Sequence, residues 1–406
     1  MQKSFIPLVI AVALTLSAPT RAANENVTVY GQANVSYDMI NTGTTTGVGA
    51  LPGISSSRVS SNSSRLGLKG SNDLGSGWSA LWQVEGTVGA DTGSSGGAGT
   101  IAGASARSTR LFDRDTYFGL SHEDRGTLLL GRHDTPYKMS TRRLDVFPDG
   151  IADNRSLLGT TIVGGAGPAG VVTDTFDARQ SNQIIYISPA LGSYSGALGY
   201  SNLAEGNSYG SQNSVSALSL AGMYEQDQVY ATIAYEVHTI TPPITTQASA
   251  TAVKAFKLGL GYRMDILNLG FAFEKSRDDF GNADAVAATN PCGNLTSGAN
   301  CSGHSALYVS AKLNITPADA LKAAYSKAGQ VGAASIASGA IQFSMGIDHD
   351  INQRTTVYIL YTSLKNDRLV HYGLSSAASS GASSVNPTGE GGAAPSAFSF
   401  GIRHAF

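Results

Sequence analysis

Charge is scarce in this chain. Asp, Glu, Lys and Arg make up 14% of its 406 residues, 27 basic against 29 acidic, for a formal net charge of −2. So even a balance lacks the basic footprint of a nucleic-acid partner. Cysteine is almost missing: Cys292 and Cys301 are the whole supply. A metal site built on two cysteines lacks further ligands, although His304 is near in sequence. Long apolar runs are missing too. Beyond the first two dozen residues none approaches the roughly 18 residues that a membrane helix requires. Mean hydropathy is −0.03, which reads as soluble. A membrane barrel reads the same way, because lipid-facing and lumen-facing residues alternate and cancel in any window.

What is present begins with the N-terminus, "MQKSFIPLVIAVALTLSAPTRAANENVTVY". A lysine, an apolar core from Phe5 to about Leu16 and a small-residue stretch ending Thr20-Arg21-Ala22 have the layout of a secretory signal peptide. The expected division is therefore a leader at 1–22, cut after Ala22 or alternatively Ala23, and one mature unit at 23–406. An exported chain meets an oxidising environment, where a Cys292–Cys301 disulfide is the expected state of a pair with eight residues between its members.

The mature chain alternates. In "SAFSFGIRHAF" Phe398, Phe400, Ile402, His404 and Phe406 fall on one face; Ala397, Ser399, Gly401, Arg403 and Ala405 fall on the other. "GWSALWQVEGTVGA" sets Trp78, Ala80, Trp82 and Val84 against Ser79, Leu81, Gln83 and Glu85. Sixteen such segments of roughly ten residues follow one another, the length of a tilted membrane strand. None carries a helical stripe over a useful length. Their links alternate short, such as "HEDRG", "QDQ" and "MDI", with long, at about 41–62, 91–108, 138–178, 202–213, 240–254, 279–303, 330–339 and 367–395. Links sorted by length to opposite ends argue for hairpins closed into a barrel, which leaves no exposed edge. A β-sandwich needs no such sorting and has shorter strands.

The order of "VTVYGQANVSYD", "SSRLGLKGSNDLGSGWSALWQVE", "RDTYFGLS…GTLLLGRHDTPY", "RQSNQIIYISP" and "FSFGIRHAF" resembles the general porins of Gram-negative β-proteobacteria. The likeness runs over essentially the whole mature chain and departs in the 91–108 and 279–303 loops. It implies an all-β, 16-stranded antiparallel transmembrane barrel with short periplasmic turns, long extracellular loops and a third long loop folded inward. It also implies a homotrimer in the cell outer membrane, surrounded by outer-membrane lipid and lipopolysaccharide and inserted by the barrel-assembly machinery. The implied work is passive diffusion of small hydrophilic solutes and ions, without catalysis or cofactor. A strand ending on a bare aromatic residue looks like the carboxy-terminal assembly signal of such barrels, which assigns that part to Phe406.

The third long loop, 138–178, carries Asp145, Asp149 and Asp153 at spacings of four. One reading makes them one side of a pore constriction; the other leaves them as surface acids of a solvated loop. Cationic counterparts on the wall are Arg65 and Lys69, opposite in phase to Leu66 and Leu68, and Arg179, in phase with Ser181 and Gln183. Arg114 falls in phase with Phe118 and Leu120, so it must lie above the apolar band or be re-aimed by a bulge; Arg132 has the same ambiguity. Set against the loop acids, such residues would give a mild anion preference; otherwise they are ordinary lumen arginines. "GHS" at 303–305 has no catalytic context, "NLT" at 294–296 is idle as a glycosylation acceptor in a bacterial outer membrane, and "GAGTIAG" lacks the strand-to-helix setting of a phosphate loop.

Overall fold

The computed structural model describes residues 27–46, 50–91, 112–159, 176–202, 214–241, 251–278, 303–330, 338–368, 370, 372–374 and 391–406. The expected leader, Cys292 and Cys301 lie outside them. The strands are β1 (Thr28–Asn41), β2 (Ser55–Ser61), β3 (Arg65–Gly75), β4 (Trp78–Thr87), β5 (Thr116–His122), β6 (Gly126–Asp134), β7 (Arg179–Ile187), β8 (Tyr194–Asn202) and β9 (Ser214–Gln226). They continue with β10 (Val229–Thr241), β11 (Thr251–Arg263), β12 (Leu267–Asp278), β13 (Ser305–Asn314), β14 (Asp319–Ala328), β15 (Ala340–Asn352), β16 (Thr355–Asn366) and β17 (Ser396–Ala405). Neighbours in sequence pair antiparallel apart from β2 and β3, and β1 pairs with β17 to close the sheet.

Both β2 and β3 pair with β1, the first along Val35–Asn41 and the second along Thr28–Gln32. They fill one wall position between them, so the barrel has sixteen. Asn62–Ser64 interrupts the strand, with Ser63 at φ 55. The interruption holds itself in place: Asn62 N donates to Asn34 O at 2.7 Å, and the Asn62 side-chain amide donates to Ser36 Oγ and the Tyr358 hydroxyl. By sequence alone, 55–61 falls inside the 41–62 link. Its run of serines around one valine has no apolar alternation, so pairing with β1, and not propensity, makes it a strand.

Alternation sorts the two faces as a half-lipid, half-water wall demands. Phe398, Phe400 and Ile402 are each at least 40% exposed on the outside, while Ala397 and Ser399 between them are buried inside. Among the described residues no helix is long and apolar enough to cross a membrane. The closing seam ends in a tight contact. Gly31 N donates to Phe406 O at 3.0 Å and Phe406 N donates to Gly31 O at 3.1 Å. The Phe406 ring lies over Gly31 so closely that a Cβ there would fall 2.4 Å from the ring. Only glycine leaves room for it.

The apolar core is not in the wall but between the wall and the segment after β6. Phe147, Ile151, Leu157 and Leu158 pack against Ala272, Ala306, Ala324, Ala328 and Ala340 of the inner face. Small alanines line that side of the lumen and make space for the larger side chains of the loop.

Candidate functional site

Thr135 turns the chain inward. Its hydroxyl accepts from Lys138 N, and Pro136 follows in the first turn of a short helix, α1 (Pro136–Arg142). The helix lies on the inner wall of β8–β11. Fully buried Tyr137 fixes it there: its hydroxyl donates to Glu274 at 2.8 Å and its N–H donates to Ser219 Oγ at 2.9 Å. Leu144 enters a slot formed by Gly259, Gly261 and Gly270, where a Cβ at the first two would stand 2.9–3.0 Å from the leucine methyls. The far end of the loop is tied down by Lys257, which reaches Asp177 at 2.6 Å and sits over the Tyr137 ring. The third loop is therefore folded against the inner wall over its described residues, 135–159 and 176–178.

The three aspartates of the loop converge on one guanidinium. Arg142 lies 3.4 Å from Asp145, 2.9 Å from Asp149 and 2.8 Å from Asp153. Arg155 adds a second contact to Asp153 at 2.9 Å. Backbone donors complete the arrangement: Asp145 accepts from Phe147 N and Asn154 N, and Asp153 accepts from Asp149 N and Arg155 N. Asp145 also accepts from the Tyr308 hydroxyl of β13 at 2.9 Å. Asp149 takes a left-handed backbone, φ 64, which aspartate tolerates better than most residues. The spacing of four thus reflects a folded loop, not a helix face.

Burial and charge pull the three acids apart. Burial and the neighbouring Asp153 carboxylate push Asp145 up to about 6, against the pull of Arg142. Burial disfavours ionised Asp153 as well, but Arg142 and Arg155 overcome it and hold that group well below the usual carboxylate range. Asp149 is likewise held low, its burial outweighed by Arg142 together with Arg155 and Arg65.

On the wall, Arg65 faces the loop, 3.6 Å from Asp149 and 3.8 Å from Glu85. Arg114 precedes β5, so strand alternation does not govern it; it turns inward to form an ion pair with Glu85. Arg179 pairs with Asp115 at 2.6 Å and Asp134 at 2.9 Å, and Lys138 of α1 joins Asp134 at 2.8 Å. Arg179 therefore belongs to a second cluster and makes no ion pair with the three loop acids. Lys69 stands apart as well, four residues toward the short turn, with its ammonium 5.2 Å from the centre of the Tyr30 ring. Arg132 is re-aimed by a register shift between Gly131 and His133 and donates to Ser181 Oγ.

Glu85, Arg142 and Arg155 were not singled out by sequence reasoning. The signal available for the two arginines was local, an Arg–Asp spacing of three at 142/145 and of two at 155/153. Nothing local marks Glu85, whose partners come from three other segments. Cations and carboxylates in the network balance six against six. They are not equally accessible. The Arg142 side chain is 22% exposed against 0% for Asp153, and that of Arg65 is 25% against 7% for Glu85.

A closed sixteen-stranded barrel, apolar outside, polar inside and carrying a charged loop within its lumen, defines an outer-membrane channel. The chain belongs to the Gram-negative porin family, whose model matches residues 9–369. An outer membrane porin protein of Bordetella pertussis is 24% identical over 334 residues, 75% of this chain and 77% of that protein. The solved anion-selective porin from Comamonas acidovorans superposes with a TM-score of 0.70 at 22% identity, covering 94% of this chain and all of that one. OmpT of Vibrio cholerae, in its trimer form, gives 0.60 at 13% identity over 94% and 99%. At such identities these two structures share the fold alone. The protein is a channel of the cell outer membrane that conducts by passive diffusion, not an enzyme.

Proposed function

We propose that the channel passes small hydrophilic solutes and ions with a mild preference for anions, and that the 138–178 loop narrows it opposite Arg65 and Arg114. The carrying observation is the unequal exposure within the loop–wall cluster: the side chains of Arg65, Arg114, Arg142 and Arg155 are 14–25% exposed, whereas Glu85, Asp145 and Asp153 are at most 7% exposed and Asp149, at 23%, is the one accessible carboxylate among them. A passing ion then meets net positive charge in a network that is neutral as a whole. The anion selectivity of the Comamonas porin supports the same sign. One unit charge about 5 Å from a passing ion in water is worth about 0.8 kcal/mol, or about fourfold in relative permeability, before screening.

The test is the zero-current potential across bilayers in a salt gradient. The wild type is expected to show an anion-signed potential near 0.1 M salt that fades toward 1 M, as the Debye length falls from about 10 Å to about 3 Å. Arg65→Gln should lower the anion preference by about two- to fourfold and Asp149→Asn should raise it. Between pH 7 and pH 5 Asp145 passes from mostly ionised to mostly protonated, adding one net positive charge, so the preference should grow on acidification. Asp145→Asn should remove that growth; if it persists, Asp145 is not its source. A cation-signed potential indifferent to Arg65→Gln would refute the filter.

We also propose a homotrimer, with lipopolysaccharide and lipid around it and the barrel-assembly machinery as its inserter, after cleavage of the 1–22 leader. The trimer form of the Vibrio protein supports the oligomer. Unboiled samples should run on denaturing gels as a slow, heat-sensitive species; migration only as unfolded monomer after mild extraction would rule the trimer out.

A further inference from the structure

Beneath the inner loop, on the short-turn side, lies a cavity of about 360 Å³, near the small end of the range of ligand pockets. The underside of the loop, from Arg143 to Val146, covers it, and strands β9–β15 and β17 form its wall. Arg65, Arg114, Arg142, Arg155 and Asp149 do not line it. Five cations do: Arg143, Arg263, Lys312, Lys322 and Arg403. Its carboxylates are mostly spent. Asp145 is committed to Arg142 and to the N–H groups of Phe147 and Asn154. Glu225 holds Arg143 in a two-pronged pair at 2.6 and 2.7 Å. Asp348 takes Lys322 at 2.6 Å and stands 3.9 Å from Arg403. Asp227 sits in the exposed turn between β9 and β10. Among the described residues Arg263 and Lys312 make no ion pair.

Strand register sets these residues in one row. Arg263 is opposite Asn268, Asn268 opposite Lys312, and Lys312 opposite Lys322. The row is in phase with Gly270, Ser310 and Ala324, which are buried on the lumen side. Like charges directly opposite on one face weaken a strand pair. Lys322 is relieved of this cost: its ammonium is paired with Asp348 and lies over the Phe147 ring. Lys312 has no such relief, and it is half-buried, so close packing does not demand it. A local rule broken without a structural return marks a site. Arg263 is held at the other end of the row, where its N–H donates to Gln228 O of the turn at 2.9 Å.

We propose that this cavity binds a phosphate group, free or as a small monoester, between Lys312, Asn268 and Arg263. The inference rests on the channel reading and deepens it: it names a solute class that is held on the short-turn side of the loop, apart from the filter opposite Arg65. Chemistry selects the ligand. Two strand spacings separate Lys312 from Arg263, about 10 Å along the wall. Long side chains close that gap over the Asn268 amide, so an ammonium, an amide and a guanidinium offer donors to one compact group. A phosphate carries one and a half to two charges on three acceptor oxygens and can use all three donors at once. Chloride has one charge and no fork for a guanidinium to match. A single carboxylate offers two oxygens and one charge.

The test measures how inorganic phosphate, added from the short-turn side at pH 8, interrupts the chloride current of single channels in about 0.1 M KCl. The wild type should show interruptions that grow with phosphate concentration. Lys312→Gln should weaken the apparent affinity about tenfold, Arg263→Gln by less, and Lys312→Arg should keep it. Arg354→Gln, in a short turn, is the control and should match the wild type. The Lys312→Gln barrel should be at least as heat-stable as the wild type, because one of two opposed lysines is gone; a less stable barrel would make Lys312 a wall residue only. Glycerol phosphate separates the two sources: interruption by both probes assigns the site to the phosphate group, and interruption by inorganic phosphate alone assigns it to the free ion. If Lys312→Gln fails to fold, Arg263→Gln carries the comparison. Interruption that the Lys312 and Arg263 variants leave unchanged, an equal loss in Arg354→Gln, or an equally strong and equally Lys312-dependent effect of succinate overturns the assignment. A cation-signed zero-current potential together with Lys312-dependent interruption would refute the loop filter and keep this site; an anion-signed potential without such interruption would do the reverse.

Discussion

Arg142→Met is expected to release the inner loop and raise single-channel conductance markedly, with noisier open levels. Asp153 is fully buried, and Arg142 is the residue that contacts all three loop aspartates. Methionine keeps most of the volume and removes the charge. Taking one partner from a buried ion pair costs about 3–5 kcal/mol, because the charge left behind is neither solvated nor compensated. Arg155 still reaches Asp153, so the cost falls toward the lower end of that range. Measurement in 1 M KCl separates width from charge, since surface potentials are screened to about 3 Å there. Adding Asp153→Asn should restore much of the wild-type conductance by removing the stranded carboxylate. Unchanged conductance in Arg142→Met would mean that apolar packing alone holds the loop.

The second large effect concerns the seam. Phe406→Ser is expected to lower the yield of folded barrel in the outer membrane severalfold, with precursor or aggregate left behind, while channels that do insert conduct normally. We propose Phe406 as an assembly signal on two grounds: its place at the end of the closing strand, and its ring packed over Gly31. Gly31→Val separates the two contributions. A branched side chain there collides with the ring and with Arg65 O, 2.7 Å from the Cβ position. If only Phe406→Ser lowers the yield, the aromatic residue is read before closure; if both do, packing at the seam is part of the requirement. Normal heat-modifiable barrel from Phe406→Ser at high expression would count against the role altogether.

The wall was readable because lipid on one side and water on the other impose a period of two, which survives even where individual residues are ambiguous. Phe398, Phe400 and Ile402 fell on the outer face as their alternation required. The serine run at 55–61 was not readable, because its strand character comes from β1. The loop was harder. Asp145, Asp149 and Asp153 were visible as acids, but their partners were not. Tyr137 finds Glu274 and Asp145 finds Tyr308, 137 and 163 residues away. Such pairings follow from closure of the barrel, which no local pattern encodes. Arg114 lies just before β5 and escapes the alternation that would place a strand residue. Arg179 and Lys69 had the expected inward phase, yet phase does not say at which height along the lumen a residue meets the loop.

The alanines lining one side of the lumen have a consequence for the geometry of transport. Ala272, Ala306, Ala324 and Ala340 touch the back of the loop, not the water path. Their size fixes how far Phe147, Leu157 and Leu158 sink toward the wall, and so how far the charged edge of the same loop projects into the lumen. They act as shims behind a gate leaf. Larger side chains there would push the leaf forward and smaller ones would let it recede, so the aperture is adjusted by residues that no solute ever meets.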